Sequence, residues 1–484
     1  MEISSKLSKL TLNILNIFVF IFFTSMLLLS YVRMEVNNLS TIEISFWVLL
    51  SVLSILSIAF LLNYFSKTTY LIFLLFISLL LRLAWVFTIQ TPLASDFTVL
   101  YNTAVQIVNG NHNYLNDFYF QKWSYQLGFS VYEAIIVNIF GPHTLPLKLF
   151  NVAFSLGITV LIYKIASNVF NEFTGRIAGF LYAIYIPSIV MTSVLTNQHL
   201  STFLYFLGFA LLIQFGLKSK KSWVFIGILF ALGNIIRPLG SFILLAIGIY
   251  IILKGIFSGS LKIFLSYIAK FIGIIAVFFI VQQIIFFSLI NIGIADKPLN
   301  NEDSLWKFVT GFNYETKGSY SAKDKDYLDQ FALGDERNEK SKELIKERLS
   351  DKKKVALLIK HKVAYMWGGK DLSIHWSLLR TDKTDDFRNQ LYKFEKILYM
   401  SMAIFGMAAS AGLLLRKNIN KKHILFILLI LGYAAIHVLI EVQTRYRYDM
   451  MPAFFIIQSY GVYVLAMFIK KKRKSIHSDL KKAV

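Results

Sequence analysis

The chain has 484 residues, is 56% hydrophobic and only 16% charged, and carries a formal net charge of +22. A soluble protein of this length carries more charge. The basic residues cluster at the ends of apolar runs, as cytoplasmic anchors do, and no RNA-binding or helix-turn-helix signature occurs, so no nucleic-acid partner is expected. Cysteine is absent, which removes disulfides, thiol catalysis and cysteine metal sites.

A bilayer core needs about 20 apolar residues per helix, and about 12 such runs predict an all-α polytopic membrane protein embedded in a lipid bilayer. The first three lie near 10–31, 44–64 and 70–89. The run at 10–29 follows Lys6 and Lys9 without a small-residue cleavage pattern, so it reads as a retained span. The next six lie near 145–164, 174–190, 197–216, 222–238, 240–254 and 264–290, and the last three near 397–415, 423–441 and 450–469. Lys67, Lys164, Arg176, Lys218, Lys220, Lys221, Lys254, Lys262, Arg416, Lys417, Lys421, Lys422 and the tail from Lys470 all fall on one side under this count. That side is the cytoplasm, with both termini. A cell (plasma) membrane location follows. The run 127–140 would break the pattern if it crossed, so it is expected as a juxtamembrane or re-entrant outer helix.

This count divides the chain into two N-terminal spans (1–69), a core (70–290) with a first outer loop (90–144), an outer loop domain (291–395), C-terminal spans (396–470) and a basic tail (471–484). The outer loop domain carries 18 of the 28 acidic and 20 of the 50 basic residues, which marks a mainly helical, water-facing region. Residues 335–354 read as a solvated helix laced with i,i+4 charge pairs. Residues 355–379, with Tyr365, Trp367 and Trp376, are expected to pack back on the membrane surface.

The stretch 95–110, SDFTVLYNTAVQIVNG, follows the third span. Phe97, Leu100, Tyr101, Ala104, Val105 and Val108 make one apolar helical face, and Gly110 is a C-terminal stop. Asp96 opens this helix at the lip of a span. A carboxylate there can accept backbone N–H bonds and stay ionised as a general base, or simply cap the helix. In EVQTRYRYDMMP, residues 441–452, Arg445 and Arg447 alternate with Tyr446 and Tyr448 at the outer end of a span. Arginine forks suit phosphate oxygens, and two arginines on the outer side run against the positive-inside tendency. Arg237, beside Asn234 and Pro238, is a second phosphate contact or a snorkelling arginine. Thr196, Asn197, Gln198 and His199 open another span, where Thr196 and Asn197 read first as helix caps. His199 and His437 are lone membrane histidines. No HExxH, paired His/carboxylate spacing or phosphate-cradling glycine loop occurs.

Together these stretches resemble the C-type (GT-C) integral-membrane glycosyltransferases, in the bacterial protein-mannosyltransferase-like and aminoarabinose-transferase-like branch. The resemblance runs over 70–470 and is carried by the Asp96 segment, residues 123–141, Ile186-Pro187, residues 196–200, Ile236-Arg237-Pro238 and the Arg445 to Pro452 stretch. It implies a GT-C-type bundle and a sugar donor on a polyprenyl phosphate. It also implies inverting transfer to a hydroxyl acceptor on the outer face. Asp96 is the implied general base, and Arg237, Arg445 and Arg447 bind the donor phosphate. Tyr101, Tyr125, Gln126, Asn197, Gln198, His199, Glu441 and Tyr446 are candidate substrate contacts. No essential metal or other cofactor is expected, because arginines can neutralise the leaving phosphate. Protein mannosyltransferases commonly carry Asp-Glu where this chain has Asp96-Phe97, so the acceptor is open among a glycolipid, a cell-wall polymer and a protein. A transporter or lipid flippase is the alternative reading, followed by an acyltransferase using His437 or His199.

Overall fold

The computed structural model describes residues 2–35, 40–217, 219, 221–415 and 421–483, with side chains over 9–34, 40–217, 219, 221–415 and 421–472. Lys218, Lys220, Arg416 and Lys417, and the side chains of the basic tail from Arg473, lie outside the described residues. All regular structure among the described residues is helical.

Among the described residues, ten helices are long and apolar enough to cross a bilayer: Lys9–Met34, Thr41–Tyr64, Lys67–Thr88, Thr144–Val169, Gln198–Phe215, Gly240–Ser258, Leu261–Asn291, Asp385–Leu415, Lys421–Leu439 and Met451–Lys472. The expected count of about 12 is reached only through two irregular segments. Residues 174–190 fall in a pair of helices, Glu172–Ala183 and Ile186–Ser193, bent by 58°. Ser222–Ile236 is a single helix of 15 residues, about 22 Å long and short for the hydrocarbon core.

The bend has a chemical cause. Pro187 stands in the first turn of the second helix and cannot continue the first. The break frees backbone carbonyls, and the fully buried Arg82 answers them. Its guanidinium donates to Ala183 O at 3.0 Å and Tyr182 O at 3.4 Å, and also to Ser188 Oγ at 2.9 Å and Ser155 Oγ at 2.7 Å. An arginine inside a span is thereby satisfied at every reachable donor.

Asp385–Leu415 and Met451–Lys472 form the bundle centre, each 67% buried over its most apolar window. The first helix is built onto them: Phe23 is fully buried, and Phe22 and Phe23 pack on Phe454 at 5.8 and 6.0 Å between ring centroids.

Residues 291–384 fold as a set of shorter helices at the end of the bundle where the helix Asp96–Val108 also lies, whereas 385–395, expected in the outer domain, begin the spanning helix Asp385–Leu415. Two further expectations change here. The helix Asp335–Ser350 stops before Asp351, because the Asp351 carboxylate accepts from the Lys353 and Lys354 amides and starts a new helix, Lys352–Gly368. Its surface pairs are i,i+3, Lys340–Glu343 and Lys342–Glu339. Its Arg337 is buried on Asp303 at 2.7 Å and Asp329 at 3.1 Å. Lys122 of the first loop also reaches Asp329, at 2.9 Å, tying the two non-spanning segments together. The aromatic part packs on the bundle itself, with Trp367 stacked on Phe454 at 5.6 Å.

Candidate active site

The helix Asp96–Val108 forms as its apolar face requires, burying Phe97, Leu100, Tyr101 and Ala104. Gly110 follows it at φ +67°. Ser95, just before it, is held at φ +53°, a conformation L-residues rarely adopt. Ser95 takes the N-cap position and makes no side-chain cap bond, so Asp96 is the first helical residue and not the cap.

Asp96 opens into a cavity of about 390 Å³. The walls come from five parts of the chain: Asp96 and Phe97, Tyr125 and Gln126, Asn197, Arg237 to Phe242, and the run from Tyr433 to Tyr446, with Asn301 and Lys307 closing it. Two close backbone approaches hold these parts together. A Cβ on Gly128 would collide with the Ile235 carbonyl, so glycine lets the helix Leu127–Phe140 seat Tyr125 and Gln126 beside Arg237. A Cβ on Gly311 would lie 2.5 Å from Leu439 O. That approach lets the Glu441 amide donate to Lys307 O at 2.8 Å.

The charges of the cavity differ in how fully they are paired. Glu441 binds Lys307 at 2.5 Å. Burial works against both ions, but each outweighs it for the other: the Glu441 pKa is lowered and the Lys307 pKa is raised. Arg237 binds Asp449 at 2.9 Å and donates to Asn197 Oδ1 at 3.1 Å. Arg445 is different. Its Nε and Nη1 are buried with no hydrogen-bond partner. The guanidinium lies over Trp376 at 4.9 Å and Phe97 at 5.2 Å from the ring centroids. Tyr446 lies at 5.8 Å, so three aromatic faces hold the cation without neutralising it. Phe97 thus has a clear task beside Asp96.

Asp96 is exposed at the cavity mouth, and desolvation by the surrounding walls pushes its pKa above the ordinary carboxylate value, against the pull of Arg445 first and Lys307 second. The groups that favour its ionised form are Arg445 and Lys307, with a lesser hydrogen bond from the Ser95 side chain.

Eight of the predicted residues meet at the cavity: Asp96, Tyr125, Gln126, Asn197, Arg237, Glu441, Arg445 and Tyr446. Four are placed elsewhere. Arg447 is fully buried and paired with Asp371 at 3.0 Å. The turn Thr444–Asp449 is a 3-10 helix, in which positions two apart face different sides. Tyr101 is in the apolar core with Ile136, Val137 and Leu147. Gln198 sits behind the wall, donating to Asp449 Oδ1 at 3.2 Å and Arg445 O at 3.3 Å. His199 is fully buried against Tyr448, at 5.1 Å between centroids. Asn197 takes the N-cap position, as expected, but makes no side-chain cap bond; its Oδ1 accepts from Arg237 instead. His437 lines the cavity, its Nδ1 on Tyr433 O at 2.8 Å. Lys307 and Asn301 went unnoticed in the sequence, where nothing sets them apart from the other polar residues of 291–395. Among the described residues, no three His, Asp or Glu side chains gather as a metal site.

Residues 128–282 match the model of the dolichyl-phosphate-mannose-protein mannosyltransferase family. That stretch contains Asn197 and Arg237 but neither Asp96 nor Arg445. No curated protein matches the chain. Over the matched residues the GT-C resemblance holds, and the described residues form an all-α bundle with ten helices long and apolar enough for a multi-pass membrane protein.

Proposed function

We propose that the protein is an inverting glycosyltransferase that moves a sugar from a polyprenyl phosphate to a hydroxyl acceptor at the outer face of the cell membrane. The observation that carries this reading is one cavity holding an open carboxylate, Asp96, together with an unpaired guanidinium, Arg445. The acceptor O–H gives its proton to Asp96 as its oxygen bonds to the anomeric carbon. The bond from that carbon to the lipid phosphate oxygen breaks, and the phosphate leaves with the electron pair. Arg445 takes the largest share of the new anionic charge, because Arg237 and Lys307 already hold carboxylates. A raised Asp96 pKa suits a base that must bind a proton in the transition state. Arg445 and Lys307 pull against that rise and favour the ionised form.

The cavity lies at the ends of the spans, whereas transporters gather their polar site near the midplane. Comparing lipids and wall polymers of cells with and without the gene by mass spectrometry tests the reading. A hexose missing from one glycolipid, wall polymer or protein is expected, and an unchanged glycan inventory speaks against it. Chelation by EDTA is expected to leave the transfer rate of the purified protein within about twofold, since cations of the chain itself face the leaving group. A rate abolished by EDTA and restored by a divalent ion would remove that expectation.

A further inference from the structure

Beside the cavity lies a second recess, of about 240 Å³. The two share Tyr125, Pro238 and Asn301, so one wall separates them. Their chemistries differ. The recess has no charged residue in its lining; its polar side chains are Tyr125 and five carboxamides, Asn234, Gln282, Gln283, Asn300 and Asn301. Two of the carboxamides are engaged with each other, Asn234 Nδ2 donating to Gln282 Oε1 at 2.7 Å. That pair is anchored, because Asn234 Oδ1 also accepts from the Gly240 amide at 2.9 Å. Gln283 is exposed, on the same side of the span Leu261–Asn291 as exposed Phe279, Ile280, Ile284 and Phe287. This face of the helix meets lipid, about 12 Å from its end at 1.5 Å per residue. An amide on such a face is unfavourable unless something there bonds to it.

We propose that the recess binds an uncharged sugar carried on a lipid, beside the reacting centre. Carboxamides both donate and accept, as sugar hydroxyls do. The rings of Phe279 and Phe286 offer flat apolar faces to sugar C–H groups. A phosphate or carboxylate there would find no cation in the lining, in contrast to the neighbouring cavity. The position of Gln283 on the lipid face indicates a ligand that arrives from the bilayer. The proposal rests on the transferase reading only for what the neighbouring cavity does. The sugar is either the donor's own or one belonging to a glycolipid acceptor.

The test uses the full chain in phosphatidylcholine nanodiscs, with octyl β-glucoside as probe and octyl phosphocholine as control. Saturation-transfer NMR reads contact with the sugar protons. The expected result is transfer to glucoside protons that weakens at least fivefold in Gln283→Leu and in Gln283→Leu/Asn300→Leu, and is unchanged in Arg445→Ala. Added polyprenyl-phosphate mannose displaces the probe if the recess holds the donor sugar. It leaves the probe in place if the recess serves the acceptor. Equal transfer in wild type and both variants, or equal contact from the phosphocholine head, overturns the proposal. Probe binding without any sugar transfer by the protein would leave the recess standing and remove the transferase reading.

Discussion

Two charged clusters flank the turn Thr444–Asp449, and they differ in how completely they are closed. On one side Arg447 is fully buried. It binds Asp371 at 3.0 Å and donates to Thr444 O at 3.1 Å and Gly369 O at 3.3 Å. Lys396 joins it through Gly369 O at 2.7 Å. On the other side Arg445 has two buried donor nitrogens without partners and only ring faces beneath it. Both clusters carry cations beside carboxylates. The more closed one ties Arg447 Nε and Nη2 to backbone and to Asp371, with Nη1 left unpartnered, and fixes the turn; the open one gives Arg445 ring faces in place of a carboxylate and leaves its charge for something that comes from outside.

The largest expected effect is on the open side. Asp96→Asn should lower the transfer rate by about 10²–10⁴-fold, the range of a lost general base. Its effect on stability should have the opposite sign. A carboxyl pKa raised in the folded state means that folding stability falls as pH rises through the window from the unfolded value to the folded one. Removing the charge should therefore leave the melting temperature equal or higher at neutral pH. Turnover close to wild type in Asp96→Asn would remove the residue as base.

Next come the two arginines, compared directly. Arg445→Ala should cost about 10²–10³-fold in kcat, as for one lost oxyanion donor, with little change in melting temperature. Arg447→Ala should destabilise by about 3–5 kcal/mol, because it leaves Asp371 buried and unpaired. An Arg447→Ala/Asp371→Asn pair should recover much of that stability. If Arg447→Ala melts normally but loses turnover, the division between an open and a closed cluster is wrong.

The same contrast explains what could be read from the residues in order. Asp96, Arg237 and Arg445 stand out because each interrupts apolar sequence near the end of a span, where an ion needs a reason. Arg447 looks identical to Arg445 by that criterion. What separates them is the rotation of a 3-10 turn, which local composition does not specify. Lys307 is one of 20 basic residues in 291–395; only the approach at Gly311 brings it to Glu441. Arg82 was hidden by its own span, since an apolar run tolerates one charge and the carbonyls that need it belong to a helix about 100 residues later. The spans themselves were legible because hydrocarbon demands length and apolarity. Among the described residues, the bent pair and the 15-residue helix are the expected spans that depart from that rule.

A smaller effect sharpens the open side further. With the Asp96 pKa raised, the acid limb of the rate profile should lie above the ordinary carboxylate value of 3.8. Arg445 is the first of the groups that pull it down. Arg445→Ala should then move the limb to still higher pH, over and above its effect on the plateau rate. A limb that stays fixed in Arg445→Ala would mean that another group sets it.

The smallest effect is expected at Tyr101, one turn along from Phe97 on the same helix face. Its hydroxyl is buried without a partner, near Glu133, whose two carboxylate oxygens are likewise unpartnered. The ring packs in the core and does not line the cavity. Tyr101→Phe removes only the unsatisfied hydroxyl, so turnover should stay within about twofold and stability should hold or rise slightly. The two aromatic residues of that face then part ways. Phe97→Ala takes away a ring beneath Arg445 and should lower turnover by more than Tyr101→Phe, because a cation that loses its stacking surface is no longer held toward Asp96. Equal effects of the two changes would mean that the helix supports the fold and does not orient the arginine.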